Sequence, residues 1–374
     1  MNLLNPNEQK WVDDLWGKLD GKLSRASIAS YDKIPYTTIN GVHDDVKEDG
    51  IIRWTNGFWP GLMWLMYVGT KKECYRKTAE HAEELLDSAL AMPEMLHHDV
   101  GFMWHISSGV NYRLFKGQKS QRRNYLAAQI LAARYNPECG FICAWNGSEQ
   151  CGWTIVDTMM NLPLLYWATE EYGDPRYSQI AKRHADWVIK KHMRDDGSFY
   201  HVVCSDPNTG DFIEYRPGGG YSTETVWSRG LGWALYGFVL TYIHTKEDRY
   251  LETAKKIGAY VKSELEKSNY MPLVDFKAPK DVCDSTAGAI LSCGFIELAK
   301  ATGDREEYLK PALKLLKNLE ENFCDWSESE QSVLQHGVES YFPEERQKGK
   351  HIIYGDYYFA EAIYKLKGFE PLFW

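Results

Sequence analysis

The apolar positions of this chain fall into a loose repeat. A turn-forming group is followed by a tyrosine and then by an amphipathic helical pattern, in GTKKECYRKTAEHAEELL around Tyr75 and KGQKSQRRNYLAAQILAA around Tyr125. The phrase returns in GDPRYSQIAKRHADWVI around Tyr177, TKEDRYLETAKKIGAYV around Tyr250 and GDREEYLKPALKLLKNL around Tyr308, at spacings of 50, 52, 73 and 58 residues. A more apolar segment precedes each one, at 57–67, 101–115, 156–170, 230–242 and 286–301, and GDYYFAEAIYKL near the C-terminus adds another. Apolar residues on all sides predict helices covered on both faces, whereas a polar stripe predicts helices that meet solvent. Helix pairs recurring in this way bury their apolar faces against neighbouring pairs. Gly57, Gly61, Gly230, Gly232 and Gly288 fall at or inside the starts of the inner members, where small residues allow close approach or bare backbone N–H groups. An open solenoid would have more regular repeats and a polar concave face. The aromatic, irregular inner segments predict instead an all-α closed ring of about six hairpins, an (α/α)6 barrel, as one domain over residues 1–374.

Residues 198–215, SFYHVVCSDPNTGDFIEY, break the helical pattern with two extended runs around Asp206-Pro207-Asn208-Thr209-Gly210, and predict a β-hairpin inserted between helices. The GGG that follows, in RPGGGYSTETVW, lacks the preceding strand and the spacing of a nucleotide-binding loop. At the N-terminus, Asn7 is the expected cap of a helix carrying Trp11, Leu15, Leu19 and Leu23 on one face. That stretch lacks the basic start and apolar core of an export signal. The longest apolar runs, such as 233–240, are far below the ~20 residues of a membrane helix.

Charge narrows the function classes. With 43 Lys and Arg against 52 Asp and Glu the net charge is −9, so no positive field gathers nucleic acid or an anionic membrane, although a few local cations still suffice for a small anionic substrate. The eight cysteines are scattered. Cys139 and Cys143 have a loose metal-like spacing with no second Cys/His pair, so free thiols in a reducing cytoplasm are expected. Aromatics make up 14% of the residues, which suits both a large core and faces on which sugar rings stack.

The unusual residues gather at the predicted starts of the inner helices, which converge on one rim of such a ring. Arg53-Trp54-Thr55 opens one start, His97-His98-Asp99 another, Trp145-Asn146 lies ahead of Asp157, and Trp227-Ser228-Arg229 with Trp233 opens a fourth. Asp284 and Asp356 stand at two more, where helix capping explains them, and any single Trp is readily a core residue. Asp157 is followed by MMNLPLLYWA, so its carboxyl is expected to be partly buried and suited to proton donation near neutral pH. Asp99, flanked by histidines and a glycine, offers a second acid. Consecutive His-His-Asp rarely directs three ligands at one metal and no HExxH pair is present, so neither metal nor organic cofactor is expected. Two acids, several Trp and an Arg on one rim point to a carbohydrate site, with sugar faces on Trp and protons moved by paired carboxylates.

The segments RWTNGFWPG, HHDVGF, TIVDTMMNLPLLYWA, WSRGLGW, DSTAGAILSCGFIELA and YGDYYFAEAI, in this order over about residues 50–365, together resemble the unsaturated glucuronyl hydrolases of glycoside hydrolase family 88. The related unsaturated rhamnogalacturonyl hydrolases, family 105, share the fold and the paired acids, but the segment around Asp157 is closer to family 88. The resemblance implies an (α/α)6 barrel that removes the 4,5-unsaturated uronic acid left by polysaccharide lyases at the non-reducing end of oligosaccharides. The implied chemistry is hydration of the C4=C5 vinyl ether, with Asp157 as general acid and base and Asp99 as the second essential carboxylate. Carried over by position, Trp54, His98, Trp145, His201, Trp227, Arg229 and Trp233 match substrate-site residues, with Arg229 the expected partner of the acidic sugar. One departure stands out. Family members often carry His-Gln-Gly before WxRGxxW, and here Gly218 and Gly219 occupy the His and Gln places. The uronate is then held differently, or the substrate differs. A rhamnogalacturonyl- or ulvan-type unsaturated hydrolase is the nearest alternative; a sugar isomerase or epimerase, or a non-catalytic sugar-binding ring, is more distant. The expected partner is a small anionic unsaturated oligosaccharide, with neither nucleic acid nor membrane, and the basic run 346–350 is read as a solvated face.

Overall fold

The computed structural model describes residues 4–374. In chain order its helices are α1 (Pro6–Ala29), α2 (Phe58–Thr70), α3 (Glu73–Leu85), the single turn α4 (Asp87–Leu90), α5 (Ser108–Phe115), α6 (Gln118–Ala133) and α7 (Leu162–Tyr172). There follow α8 (Pro175–Lys191), α9 (Ser228–Thr245), α10 (Asp248–Lys267), α11 (Ser285–Thr302), α12 (Lys310–Phe323) and α13 (Ile353–Leu366). The apolar segments α2, α5, α7, α9, α11 and α13 form an inner ring, closed where α13 packs against both α11 and α2. Around it stand α1, α3, α6, α8, α10 and α12, each paired with one inner helix. Burial follows the pattern: every residue of α13 is buried, while α3 buries only Tyr75, Thr78, Ala79, Ala82 and Glu83. This is the (α/α)6 barrel.

The loose tyrosine repeat has a physical origin. Five inner helices end in a left-handed residue, Lys71, Lys116, Gly173, Lys246 or Gly303, which reverses the chain into the outer partner. The repeat tyrosines then pack in the outer layer and tie it together. Tyr75 donates its hydroxyl hydrogen to the Asp20 carbonyl of α1 (3.0 Å), Tyr177 meets Tyr125 of α6 (3.1 Å), and Tyr250 donates to Asp186 of α8 (3.1 Å).

Three local expectations change. Asn5, not Asn7, caps α1: its side chain accepts from Glu8 N–H (2.9 Å) and Glu8 returns the bond to Asn5 N–H (2.8 Å), with Pro6 in the first turn. Three residues beyond Asn7 stands Lys10, which cannot reciprocate as an acceptor. Asp284 caps α11 as expected, but Asp356 lies inside α13, where its carboxylate accepts from Val333 (3.0 Å) and Leu334 (2.6 Å) N–H and pins that loop. The third change is that two inner segments are interrupted. Residues 101–115 divide into a π-helical turn, Gly101–His105, and α5; residues 156–170 divide into a 3-10 turn, Val156–Met160, and α7. Pro163 lacks an N–H and its ring collides with a preceding helical turn, so α7 begins afresh beside it. Both interruptions fall next to the candidate acids.

Short hairpins β1 (Thr38–Ile39) with β2 (Val42–His43), and β3 (Tyr135–Asn136) with β4 (Phe141–Ile142), decorate the ring. The expected inserted hairpin is present as β6 (Val202–Ser205) and β7 (Phe212–Arg216), and it gains a third strand, β5 (Trp153–Ile155), paired antiparallel with β6 so that Ile155 faces Val202. Three residues are too few for alternation to announce a strand. All eight cysteines are unpaired. Among the described residues no helix is long and apolar enough to cross a membrane.

Candidate active site

The β5–β6 pairing brings two site residues together. Val156 N–H donates to the His201 carbonyl (3.2 Å), which places Asp157, at the end of β5, opposite the residue that precedes β6. His201 Nε2 lies 3.2 Å from Asp157 Oδ2. Gly219 N–H donates to His201 Nδ1 (2.9 Å), and because a backbone N–H can only donate, the neutral ring carries its proton on Nε2, toward the carboxylate. The two facing atoms are close without hydrogen-bond alignment, so each retains capacity toward a ligand. The His201 ring rests against Trp227, centroids 4.1 Å apart.

Asp99 is the more buried acid. Its Oδ1 accepts from Asn161 Nδ2 (3.0 Å), and its Oδ2 lies 3.3 Å from His98 Nε2 and 3.4 Å from His97 Nδ1. Burial raises its carboxyl well above the ordinary Asp range, and the nearby Asp157 charge raises it further, against the opposing Asn161 bond and Arg134 charge. Asp99 therefore has a strongly enhanced proton affinity, which the residue pattern alone did not announce. Burial, with Arg134 as second cause, holds His97 down at about 4, and burial holds His98 well below the ordinary histidine range; both rings are neutral. His98 Nδ1 is paired with Thr158 Oγ1 (2.8 Å). Contrary to expectation for consecutive residues, donor atoms of His97, His98 and Asp99 lie within 4.8 Å of one another, and this is the one group among the described residues arranged to ligate a cation.

Asn161 was missed by sequence reasoning, although its signal is plain: one amide inside an otherwise apolar run, four residues after Asp157. Its Nδ2 also reaches the Asp157 carbonyl (3.3 Å), and its Oδ1 accepts from Phe102 N–H (3.1 Å), so one side chain locks both interrupted helices together. A Cβ on Gly101 would lie 2.6 Å from Asn161 Oδ1, which explains that glycine.

The remaining predicted residues form walls and floor. Trp54 stacks on Tyr354 (5.2 Å, 27°) and touches Phe102 (5.3 Å). Trp145 is half-buried against Trp153 (5.9 Å), on a segment stitched to the acids by Ala144, whose carbonyl accepts from His98 N–H (3.3 Å) and whose N–H donates to Trp153 (2.9 Å). Trp233 is wholly buried between Phe102 (5.2 Å) and Tyr358 (5.4 Å), and so belongs to the floor. Arg229 is not the free cation expected of an anion receptor. Its NH1 donates to Asp284 Oδ2 (3.0 Å), the Tyr354 hydroxyl (2.8 Å) and the Val338 carbonyl (2.6 Å), its NH2 donates to the Glu339 carbonyl (2.5 Å), and the group is buried. It fastens the starts of α9, α11 and α13 together.

The two glycines at the point of departure cannot be exchanged for side chains in this site. Gly218 has φ +58°, and a Cβ there would fall 1.9 Å from His201 Nδ1; a Cβ on Gly219 would fall 2.5 Å from the Trp227 ring. Gly218→Ala is expected to destabilise the fold by about 1–3 kcal/mol through left-handed strain and to lower turnover by displacing His201. Thermal unfolding and initial rates on the same preparation check both effects.

Comparison with known proteins follows the same lines. The family model of Glycosyl Hydrolase Family 88 matches residues 29–267. The unsaturated glucuronyl hydrolase of Bacillus sp. (strain GL1) is 30% identical, over 90% of this chain and 91% of that protein. The unsaturated chondroitin disaccharide hydrolase of Streptococcus pneumoniae (strain ATCC BAA-255 / R6) is 31% identical, over 86% of this chain and 83% of the relative. The crystal structure of unsaturated glucuronyl hydrolase from Streptococcus agalactiae superposes with a TM-score of 0.86 at 27% identity, covering 98% of this chain and 94% of that one.

Proposed function

This chain belongs to glycosyl hydrolase family 88, and on that premise we propose that Asp157 and Asp99 remove a 4,5-unsaturated uronic acid from the non-reducing end of an oligosaccharide. The chain is a glycosidase. The observation that carries the assignment of roles is the pairing of a partly exposed carboxylate, faced by a histidine proton, with a second, deeply buried acid whose proton affinity is raised in part by the first. The charge of the first acid thus strengthens the hold of the second on its proton.

Delivery of a proton from Asp157 to C4 of the vinyl ether leaves positive charge shared by C5 and the ring oxygen. The two carboxylates then face that charge and stabilise it. Water adds to C5 and returns a proton to Asp157, which restores the pair. The C5 hemiketal opens to a ketone, the freed oxygen makes C1 a hemiacetal, and its collapse to an aldehyde releases the remaining sugar as an alcohol. No bond at the anomeric carbon is displaced directly, so the separation of the acids sets no stereochemical outcome. In this reading His201 orients Asp157, and Trp54, Trp145 and Trp227 supply stacking faces while His98 and Trp233 support the floor.

Unpaired cysteines throughout support a cytoplasmic setting, and a main hydrophobic core running from Val12 to Trp374 supports one domain over residues 1–374. The test follows the ultraviolet absorbance of the conjugated C4=C5 bond with unsaturated disaccharides from chondroitin, hyaluronan, heparin, rhamnogalacturonan and ulvan. Absorbance is expected to decay first on the glycosaminoglycan products. A flat trace on every substrate, with folded protein, overturns the reading.

A further inference from the structure

Gly218 and Gly219 offer no side chain, and Arg229 already donates to Asp284, Tyr354 and two carbonyls, which leaves little of its guanidinium for the acidic group of the substrate. A cavity of about 530 Å³ opens beside Trp54 and Arg229, and Arg53, Thr55, Glu339 and Arg346 also line it. Arg53 is exposed, its guanidinium lies over the Tyr36 ring at 5.5 Å, and among the described residues no carboxylate pairs with it. Thr55 is 2% exposed, yet its Oγ1 has no hydrogen-bond partner. The acid in the same wall is already neutralised: Glu339 accepts from Lys350 Nζ (2.9 Å) and from the Tyr36 hydroxyl (2.5 Å), with Arg346 Nε at 3.8 Å. The local balance is therefore positive, in a chain of net charge −9.

We propose that Arg53 and Thr55 form the oxyanion subsite of this enzyme and hold a carboxylate or sulfate of the oligosaccharide against the Trp54 wall. A planar guanidinium fixed over an aromatic ring presents a preformed fork to such a group, and the buried Thr55 hydroxyl finds there the acceptor it otherwise lacks. This rests on the reading of the Trp-lined cup as the uronyl site and goes beyond it by naming the residues that grip the anion. Because Arg53 precedes Trp54 directly, the turn that places the stacking face also places the cation.

The experiment measures affinity in the Asp157→Asn background by calorimetry, and KM in the otherwise wild-type enzyme, for Arg53→Gln and Thr55→Val. The probes are an unsulfated and a 6-sulfated unsaturated chondroitin disaccharide. Loss of one charge-assisted contact predicts a roughly 10- to 100-fold weaker affinity for Arg53→Gln, with the smaller loss for Thr55→Val. An equal loss on both probes supports the uronate as the group held, and a loss confined to the sulfated probe supports sulfate. Affinity and KM within twofold of the parent on both probes overturn the proposal. Since affinity is read without turnover, a failure of the proposed reaction leaves this test standing, and the exposed Arg53 lets its variant fold.

Discussion

Asp157→Asn is expected to lower kcat by at least about 10³-fold while leaving the fold intact, because one residue is assigned both proton transfers and each is worth about 10²–10⁴. Asn is nearly isosteric, and its carbonyl oxygen still faces the His201 Nε2 proton now 3.2 Å from Asp157 Oδ2. The backbone carbonyl of residue 157 still meets Asn161. What disappears is the capacity to give a proton to C4 and to take one from water. Neither His201 nor Asp99 substitutes: the His201 proton is directed at residue 157 itself, and Asp99 sits deeper, held by Asn161. The check is the decay of the vinyl-ether absorbance at saturating substrate, beside matched thermal unfolding curves. Retention of more than about a tenth of wild-type kcat would contradict an acid–base role of the usual size.

The ring itself was legible because each helix pair repeats one compromise between burial and solvation. An inner helix such as α11, buried from Ser285 to Ala299, needs apolar residues at every phase, and an outer helix such as α3 needs a single stripe. The candidate acids were legible because they interrupt that pattern at helix starts. What failed to show was long-range pairing. Arg229 looked like a free cation, since nothing local reveals that Asp284, 55 residues later, and Tyr354, 125 residues later, claim its guanidinium. Strand β5 was hidden because three residues become a strand only when β6 returns beside them. Asn161 was passed over inside an apolar run, and its importance appears only when Asp99 and Phe102 arrive from another helix pair. The raised proton affinity of Asp99 likewise depends on burial by the tertiary fold, which a local pattern cannot measure.

Asp99→Asn separates activity from stability, and the two are expected to move in opposite directions. Turnover should fall by about 10²–10³-fold, the size of losing one preorganised charge beside a developing cation. Stability should rise. In the folded protein Asp99 keeps its proton well above the ordinary carboxyl range, chiefly through burial and then through the Asp157 charge, while in the unfolded chain it ionises near ~3.9. At pH below that value both states are protonated and the group contributes nothing. As pH rises above it the unfolded chain loses the proton first, and the folded state is penalised by about 1.4 kcal/mol per pH unit until Asp99 itself ionises. Asn carries no such penalty, and its carbonyl can still accept the Asn161 amide now bonded to Asp99 Oδ1 at 3.0 Å. The variant should therefore match the wild type near pH 4 and exceed it at pH 7–8, with the gap widening as pH rises between them. Denaturant unfolding at the two pH values reads the difference directly. A variant equally destabilised at both would mean that Asp99 is held as a favourable structural anion, and its reading as an acid that burial keeps protonated would fall with that result.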